Sequence, residues 1–159
     1  MIKTILSEVY NALSQVEGLN YVTADLGQLD NPLSIPSRFP CVLIDLESAS
    51  YADSGRQVQQ GTARMSLRIA DRNLSEDLFS EENPDEMFDI FELIKKVSKA
   101  LCGIRTDDTS ALSRTSLERI YRNDDIREFR LNFSFGFTDY DNMLRTTIHS
   151  FPPKIECKR

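Results

Sequence analysis

The chain has 159 residues, of which 40% are hydrophobic and 28% charged, and its formal net charge is −6. These values are typical of a single globular domain with one core, and no apolar run approaches the roughly 18 residues that a membrane-spanning helix needs. An acidic chain without a basic stripe is not expected to bind nucleic acid, because that binding depends on lysine and arginine at the phosphates. Three cysteines without Cys-x-x-Cys spacing predict neither a disulfide framework nor a zinc site, and they fit a reducing cytoplasm.

The N-terminal segment has the pattern of a one-sided helix. Its apolar residues recur at helical spacing: Ile2, Ile5, Leu6, Val9, Ala12, Leu13 and Val16. Gly18 is expected to end this helix, and residues 19–26 are predicted to form a short edge strand. Three X-Pro pairs follow, at Pro32, Pro36 and Pro40, and they predict an irregular connection.

Two strands separated by a loop are predicted next. Residues 41–47 are apolar and rich in β-formers, which predicts an inner strand. Residues 58–70 alternate with period two and are predicted to form its antiparallel partner. Between them, residues 48–57 are polar and small, so we predict a loop that is far longer than a hairpin needs.

A second helix has start and stop signals. Asn83 is the predicted N-cap, Pro84 the first helical residue and Gly103 the residue just beyond the end. Its predicted buried stripe comprises Met87, Phe88, Ile90, Phe91, Leu93, Ile94, Val97 and Leu101. A strand over residues 116–122 and a turn over residues 123–125 are predicted after it.

Residues 127–138 show the clearest pattern in the chain. Five apolar side chains alternate with polar or small ones there: Phe129, Leu131, Phe133, Phe135 and Phe137. Alternation over this length predicts a strand with one buried face and one solvated face. The predicted fold is therefore α+β, an antiparallel sheet of four or five strands with two helices packed on one face, in the order α-β-β-α-β-β. Residues 1–140 are predicted to form a single domain and residues 141–159 an extended C-terminal tail.

No set of residues predicts catalysis. The sequence contains no nucleophile beside a base, no metal-ligand spacing and no phosphate-binding loop. His149, the only histidine, lies in the predicted tail, and Asp124 and Asp125 are interpreted as turn residues rather than as an acid and base pair. The acidic residues within 71–86 lack the spacing of a calcium loop. We therefore expect no enzymatic activity, no metal and no cofactor.

Two regions are predicted to form a protein interface. The sheet face opposite the helices carries charged residues held on strands: Arg64, Arg68, Glu128 and Arg130. Such charges suit an intersubunit or pore-lining surface, and an ordinary solvated face would have the same pattern. The predicted loop over residues 48–57 carries Tyr51 and Arg56, residue types that anchor interfaces. We hypothesise that this loop orders against a neighbouring subunit and buries Tyr51; a solvated hairpin tip is the alternative.

The chain resembles a known family over residues 1–140. The N-terminal helix that opens at Met1, a loop closed by Phe39 and Pro40 that leads into a strand, a long polar hairpin, a second helix and a closing hairpin are similar to the small tail-terminator, tail-completion and minor tail proteins of tailed phages and prophages. Because element order and hydrophobic pattern carry this resemblance, it is an analogy of fold.

The resemblance implies a structural subunit without catalysis or cofactor. Such a subunit would assemble with itself as a ring, for example a hexamer, at the end of a tail, and would contact other tail or head-tail connector proteins. Its location would be the virion tail, after assembly in the host bacterial cytoplasm. The residues leave a second reading open, a cytoplasmic non-enzymatic adaptor or a ligand- or peptide-binding module that uses an exposed sheet edge.

Overall fold

The computed structural model describes residues 1–31, 33, 35–55, 58–72 and 84–140, and for residues 84–87 it describes the backbone alone. Its elements follow in the order α1 (Ile2–Leu13), β1 (Tyr21–Ala24), β2 (Cys41–Asp53), β3 (Gln59–Arg72), α2 (Pro84–Leu101), β4 (Ser113–Ile120) and β5 (Ile126–Asp139). The predicted α+β class is confirmed. The predicted tail over residues 141–159 lies outside the described residues.

The five strands form one sheet in the order β1-β2-β3-β5-β4. Strand β1 pairs with β2 in parallel, and the other three pairs are antiparallel. The prediction of an antiparallel sheet was therefore wrong, and the element order is α-β-β-β-α-β-β rather than α-β-β-α-β-β. Hydrophobic alternation indicates that a segment is a strand but carries no information on the direction of that strand. Here the connection over residues 25–40 returns to the end of the sheet at which β1 begins, so β2 starts beside the start of β1 and runs parallel to it.

The β2–β3 hairpin is longer than predicted. Residues 48–53 are strand residues of β2, each paired with a residue of β3, and only a short turn around Gly55 separates the two strands. Gly55 has a φ of 82°, and its N–H donates to Asp53 Oδ1 at 2.8 Å. The predicted ten-residue loop was wrong because backbone pairing does not require apolar side chains, and a ladder exposed to solvent shows no alternation.

The boundaries of the second helix agree with its sequence signals. Helix α2 begins at Pro84 and ends at Leu101, and Gly103 follows with a φ of 92°. The predicted N-cap, Asn83, lies outside the described residues. Strand β4 was predicted over residues 116–122 and begins and ends earlier, at Ser113 and Ile120.

The main core lies between the two helices and one face of the sheet, which we call the helix-side face. Buried side chains of α1, α2, β2, β3 and β5 form one cluster there, including Ile5, Val9, Leu13, Ile90, Ile94, Val97, Val42, Met65, Leu67, Ile69, Phe129, Leu131, Phe133, Phe135 and Phe137. The alternating apolar residues of β5 are all buried in it. The prediction that both helices pack on that face is confirmed.

A second, smaller cluster lies on the other side of the sheet, which we call the opposite face. Leu29 from the β1–β2 connection covers Cys41, Leu43, Ala70 and Ile126 there. The connection therefore removes part of the opposite face from solvent, although the alternating pattern of β5 predicts that this face is wet.

Gly61 of β3 lies where two aromatic side chains meet. It pairs with Tyr51 on one side and with Phe137 on the other, and the rings of these two residues contact each other edge to face with centroids 5.0 Å apart. A Cβ atom at Gly61 would collide with the carbonyl oxygen of Ser50 and would lie 2.5 Å from Phe137 Cζ. The absence of a side chain at this position lets the tyrosine lie across the strand.

We expect Gly61→Ala to lower the free energy of unfolding by about 1–3 kcal/mol, because the added methyl group forces the Tyr51–Phe137 pair and the backbone apart. The matched control is Gly136→Ala on the neighbouring strand, where the nearest atom to an added Cβ is Ser110 Oγ at 3.6 Å. Thermal denaturation of both variants measures the difference. Equal melting temperatures for the two variants would contradict this account of Gly61.

Candidate functional site

The opposite face holds a network of charged side chains beneath the β1–β2 connection. Its members, which we call the charge network, are Asp25, Asp30, Arg68, Arg122, Asp124 and Glu128. Arg68 on β3 and Glu128 on β5 form its centre and are 7% and 1% exposed. They are diagonal neighbours on adjacent antiparallel strands, since Arg68 pairs with Arg130 and Glu128 pairs with Ala70. The strand register therefore brings together two residues that are 60 positions apart.

Arg68 is hydrogen-bonded on both sides. Its Nε and Nη2 atoms donate to the two carboxylate oxygens of Glu128, at 2.6 and 3.2 Å. Its Nη1 and Nη2 atoms donate to the carboxylate of Asp30 at 2.7 Å each, and Nη1 also lies 3.4 Å from Asp25 Oδ2. A planar guanidinium held by two bidentate carboxylates has a fixed orientation.

Arg122 is the second cation of the network. Its Nη1 atom donates to Glu128 Oε2 at 2.9 Å, and its Nη2 atom donates to Asp124 Oδ2 at 2.6 Å and to the backbone carbonyl of Leu29 at 2.5 Å. The buried Glu128 is thus shared by two arginines, and the last of these bonds ties the β1–β2 connection to the sheet. Buried charges persist in proteins when they are paired in this way.

Four members of the network shift the pKa values of one another. Hydrogen bonding from Arg68 lowers the pKa of Asp30 below its ordinary value of 3.8, and hydrogen bonding from Arg122 does the same for Asp124. Hydrogen bonding to Asp30 and to Asp124 in turn raises the pKa values of Arg68 and Arg122. These four groups stay charged at neutral pH, whereas general acid or base catalysis needs a pKa near the working pH. The arrangement anchors the connection to the sheet.

The buried Cys41 thiol is also held in an unreactive environment. Burial raises the pKa of the Cys41 thiol to about 12, so the thiolate that would act as a nucleophile is not formed. Within the ranges that the structure describes, no three His, Cys, Asp or Glu side chains are grouped so that they could hold a metal ion. A cleft of about 380 Å³ beside α2 carries several carboxylates, but Asp71 is paired with Arg127 at 2.7 Å and Glu17 lies 3.9 Å from Lys96.

The predicted acid pair is divided between two separate ion pairs. Asp124 and Asp125 are bound to different arginines, Arg122 and Arg72, and Asp124 Oδ1 accepts a hydrogen bond from the Ile126 N–H, as a turn residue does. His149 lies outside the described residues, as does most of the acidic stretch over residues 71–86.

The structure divides the residues predicted as an interface into two groups. Arg68 and Glu128 are buried and bound within the chain, whereas Arg64 is exposed and Arg130 half-buried on the opposite face. Tyr51 is 49% exposed on the helix-side face of β2, and Arg56 lies outside the described residues. The interface role of all six stays a prediction.

Exposed apolar side chains mark a surface that the sequence analysis missed. The prediction that Phe88 and Phe91 belong to the buried stripe of α2 was wrong, since they are 56% and 44% exposed, and Leu117 of β4 is 42% exposed. We call these three residues the association patch. The signal was present in the sequence, because the apolar residues assigned to the stripe of α2 occupy more of the helix circumference than one buried face can hold.

The association patch continues from the core. The Phe91 ring contacts the buried Phe129 ring edge to face at 5.2 Å, and the Phe88 ring lies 6.3 Å from Phe91. Phe129 pairs with Arg119 on β4, and Leu117 lies two residues along on the same face. Leu117 therefore lies on the sheet face on which α2 packs.

Comparisons with known proteins give little beyond this geometry. No family model matches the sequence. No curated protein matches it either. Among solved structures, the chain is similar to a chain described as "Virion of native gene transfer agent (GTA) particle", with a TM-score of 0.49, 11% identity, and coverage of 85% of this chain and 92% of that one. A likeness at this level does not establish a shared function. No helix within the described ranges is both long and apolar enough to cross a membrane.

Proposed function

We propose that this chain is a non-enzymatic structural subunit of a phage or prophage tail, similar to tail-terminator or tail-completion proteins, that assembles as a ring at the end of the tail. The observation that carries the proposal is the association patch, which is exposed on a domain whose buried charges are already paired with each other. Its partners would be other copies of itself and neighbouring tail or head-tail connector proteins. Its location would be the virion tail, reached from the host bacterial cytoplasm.

The association patch has the composition of a contact surface. Large aromatic side chains anchor protein interfaces, and Phe91 is held in place by its contact with Phe129 before any partner arrives. Next to the patch, the guanidinium of Arg119 lies 5.1 Å from the centre of the Tyr121 ring, and that ring is largely exposed. Arginine and tyrosine are residue types that protein interfaces favour.

The element order supports the tail reading. The features that resemble tail-terminator and tail-completion proteins are an N-terminal helix, a strand entered from a proline, a long hairpin, a second helix and a closing hairpin, and the chain has each of them. The short strand β1 is an addition that leaves their order unchanged.

The second candidate is a cytoplasmic adaptor that binds an extended peptide. It is favoured by β4, the outermost strand, whose outer edge pairs with no described segment and could accept a further strand from a peptide. The two functions predict different oligomeric states, since a tail subunit of this kind forms a ring whereas an adaptor can act as a monomer.

The native mass of the purified protein tests the proposal. We expect one discrete oligomer, visible as closed rings by electron microscopy, and we expect Phe88→Ser to raise the dissociation constant for self-association at least about fivefold, because it places a polar group in the patch. The matched control is Tyr10→Ser on α1, where the replaced aromatic side chain is about equally exposed. A protein that stays monomeric at high concentration would contradict the ring and favour the adaptor.

A further inference from the structure

Strand β4 is the outermost strand on its side of the sheet, and its outer edge is open. Its inner edge pairs with β5, and no described segment pairs with the other edge along its eight residues. The register of the pairing with β5 shifts between Arg114 and Ser116, so the regular part of the edge extends from Ser116 to Ile120. An open, regular edge can accept a further strand through its backbone N–H and C=O groups.

The two faces of this edge carry different charges. Leu117 and Arg119 pair with residues of β5 that are buried in the main core, so both belong to the helix-side face. Glu118 pairs with Arg130 and therefore belongs to the opposite face. Over three successive residues, the edge thus presents an apolar side chain and a cation on one face, with an anion between them on the other face.

The two charges of this edge are in contact with neutral groups. The guanidinium of Arg119 lies 5.1 Å from the centre of the Tyr121 ring, and Glu118 Oε1 accepts hydrogen bonds from Ser116 Oγ at 3.1 Å and Asn132 Nδ2 at 3.3 Å. None of the ion pairs found among the described residues involves Arg119 or Glu118. Both side chains are exposed, so each can form an ion pair with a partner of opposite charge.

We propose that the outer edge of β4 binds an extended segment of another protein as a sixth strand of the sheet, antiparallel to β4. The segment would carry a carboxylate opposite Arg119, a lysine or arginine opposite Glu118 and an apolar side chain opposite Leu117. Side chains directly opposite each other on paired strands interact, and opposite charges stabilise the pairing whereas like charges destabilise it. The edge therefore selects the order acid, base, apolar along the added strand.

The sequence of this chain supplies no unpaired segment with this order. A basic residue stands between an acidic and an apolar residue, in either order, only in residues 118–120 and 126–128. Residues 126–128 lie in β5, which has a partner strand on each side. Residues 118–120 belong to β4, so a second copy could offer them only by pairing its own β4 edge with this one.

The geometry of a sheet argues against that pairing. Two copies whose β4 edges pair antiparallel in one continuous sheet are related by a twofold axis perpendicular to the sheet, which keeps their helix-side faces on the same side. Arg119 would then face Leu117 or Arg119 of the other copy, and never Glu118, which lies on the opposite face. The charges therefore favour a different protein as the donor. The proposal rests on the proposed function, because it takes the donor to be a neighbouring tail or head-tail connector protein.

Two peptides of the same composition test the order of the charges. The probe TEKFTVT places glutamate opposite Arg119, lysine opposite Glu118 and phenylalanine opposite Leu117, and the control TKEFTVT exchanges the two charged residues. We expect the wild-type protein to bind the probe at least about fivefold more tightly than the control at low salt, because the exchange turns two favourable pairs into two like-charge pairs. Fluorescence anisotropy of the labelled peptides measures both dissociation constants. Equal affinities, or no binding of the probe, would overturn the proposal.

A substitution in the protein gives an independent measurement. Arg119→Glu should weaken the binding of TEKFTVT at least about fivefold and should strengthen the binding of a third peptide, TKKFTVT, because its first lysine then faces an acid. The gain for the third peptide shows that the edge of the variant is intact. The matched control is Arg38→Glu in the β1–β2 connection, the same charge change at an exposed residue, which should bind all three peptides as the wild type does. An Arg119→Glu variant with wild-type affinities would contradict the assignment.

Hydrogen exchange locates the bound peptide. Binding of TEKFTVT should protect alternate backbone amides of β4, those whose N–H groups point away from β5. Protection of these amides already present in the free protein would overturn the proposal, since the edge would then be covered by the chain itself. The native mass separates this proposal from the ring. Rings that do not distinguish the two peptides would overturn the added strand and leave the proposed function standing, whereas a monomer that distinguishes them would overturn the ring and support the added strand.

Discussion

Phe133→Ala is expected to lower the free energy of unfolding by about 3–5 kcal/mol, enough to unfold much of a domain of ordinary stability. Phe133 is fully buried at the centre of β5, opposite Met65 of β3, in the cluster that both helices share. Alanine would leave a cavity between two layers that cannot close without moving a helix. The loss therefore includes both the transfer of the ring to water and the empty volume that remains.

Urea denaturation followed by circular dichroism measures this loss. The matched control is Phe88→Ala, which removes the same side chain from a position 56% exposed and should change the free energy of unfolding by less than about 1 kcal/mol. Equal effects of the two substitutions would contradict the assignment of the helix-side face as the core.

Arg68→Met is expected to have an effect of similar size, about 3–5 kcal/mol of unfolding free energy. The substitution keeps most of the side-chain volume but removes the cation that Glu128 and Asp30 share. Glu128 is 1% exposed, so water cannot replace the lost hydrogen bonds, and Arg122 alone must compensate its charge. Removing one partner from a buried ion-pair network is costly because the remaining charge cannot be solvated by water.

The neighbouring Arg72 provides the control. It lies four residues along the same strand and binds Asp125 with a similar two-atom contact, at 2.6 and 3.3 Å, but both side chains are exposed. Arg72→Met should therefore leave the melting temperature almost unchanged. In addition, the double variant Arg68→Met with Glu128→Leu should be more stable than Arg68→Met alone, because it removes the buried carboxylate that has lost its Arg68 partner. A double variant less stable than the single one would contradict the charge-network account.

The structure also changes the interpretation of the charged residues on the opposite face. The sequence places Arg64, Arg68, Glu128 and Arg130 correctly on one face, because side chains two positions apart along a strand point the same way. It does not indicate which of them are covered. That depends on the β1–β2 connection, whose Leu29 and Asp30 meet the sheet over Arg68 and Ile126.

Local patterns determined the elements. The alternation of Phe129, Leu131 and Phe133 defines β5 and its buried face, the spacing of Ile5, Val9 and Leu13 defines the inner side of α1, and Pro84 and Gly103 mark α2. These signals can be read from the sequence because each depends on the geometry of a single helix or strand.

Contacts between segments that are distant in sequence determined the remaining features of the fold. The parallel direction of β1, the extension of the hairpin through residues 48–53, the burial of Glu128 and the exposure of Phe88 and Phe91 all depend on which segment lies beside which. Arg68 and Glu128 are 60 positions apart, and no local period relates them. The sequence by itself therefore determined the helices, the principal strands and the buried face of the sheet, because these follow from side-chain periodicity. Only the tertiary structure decided strand direction, the charge network and the surfaces left open for partners, because these depend on the long-range packing that covers some polar groups and leaves some apolar ones exposed.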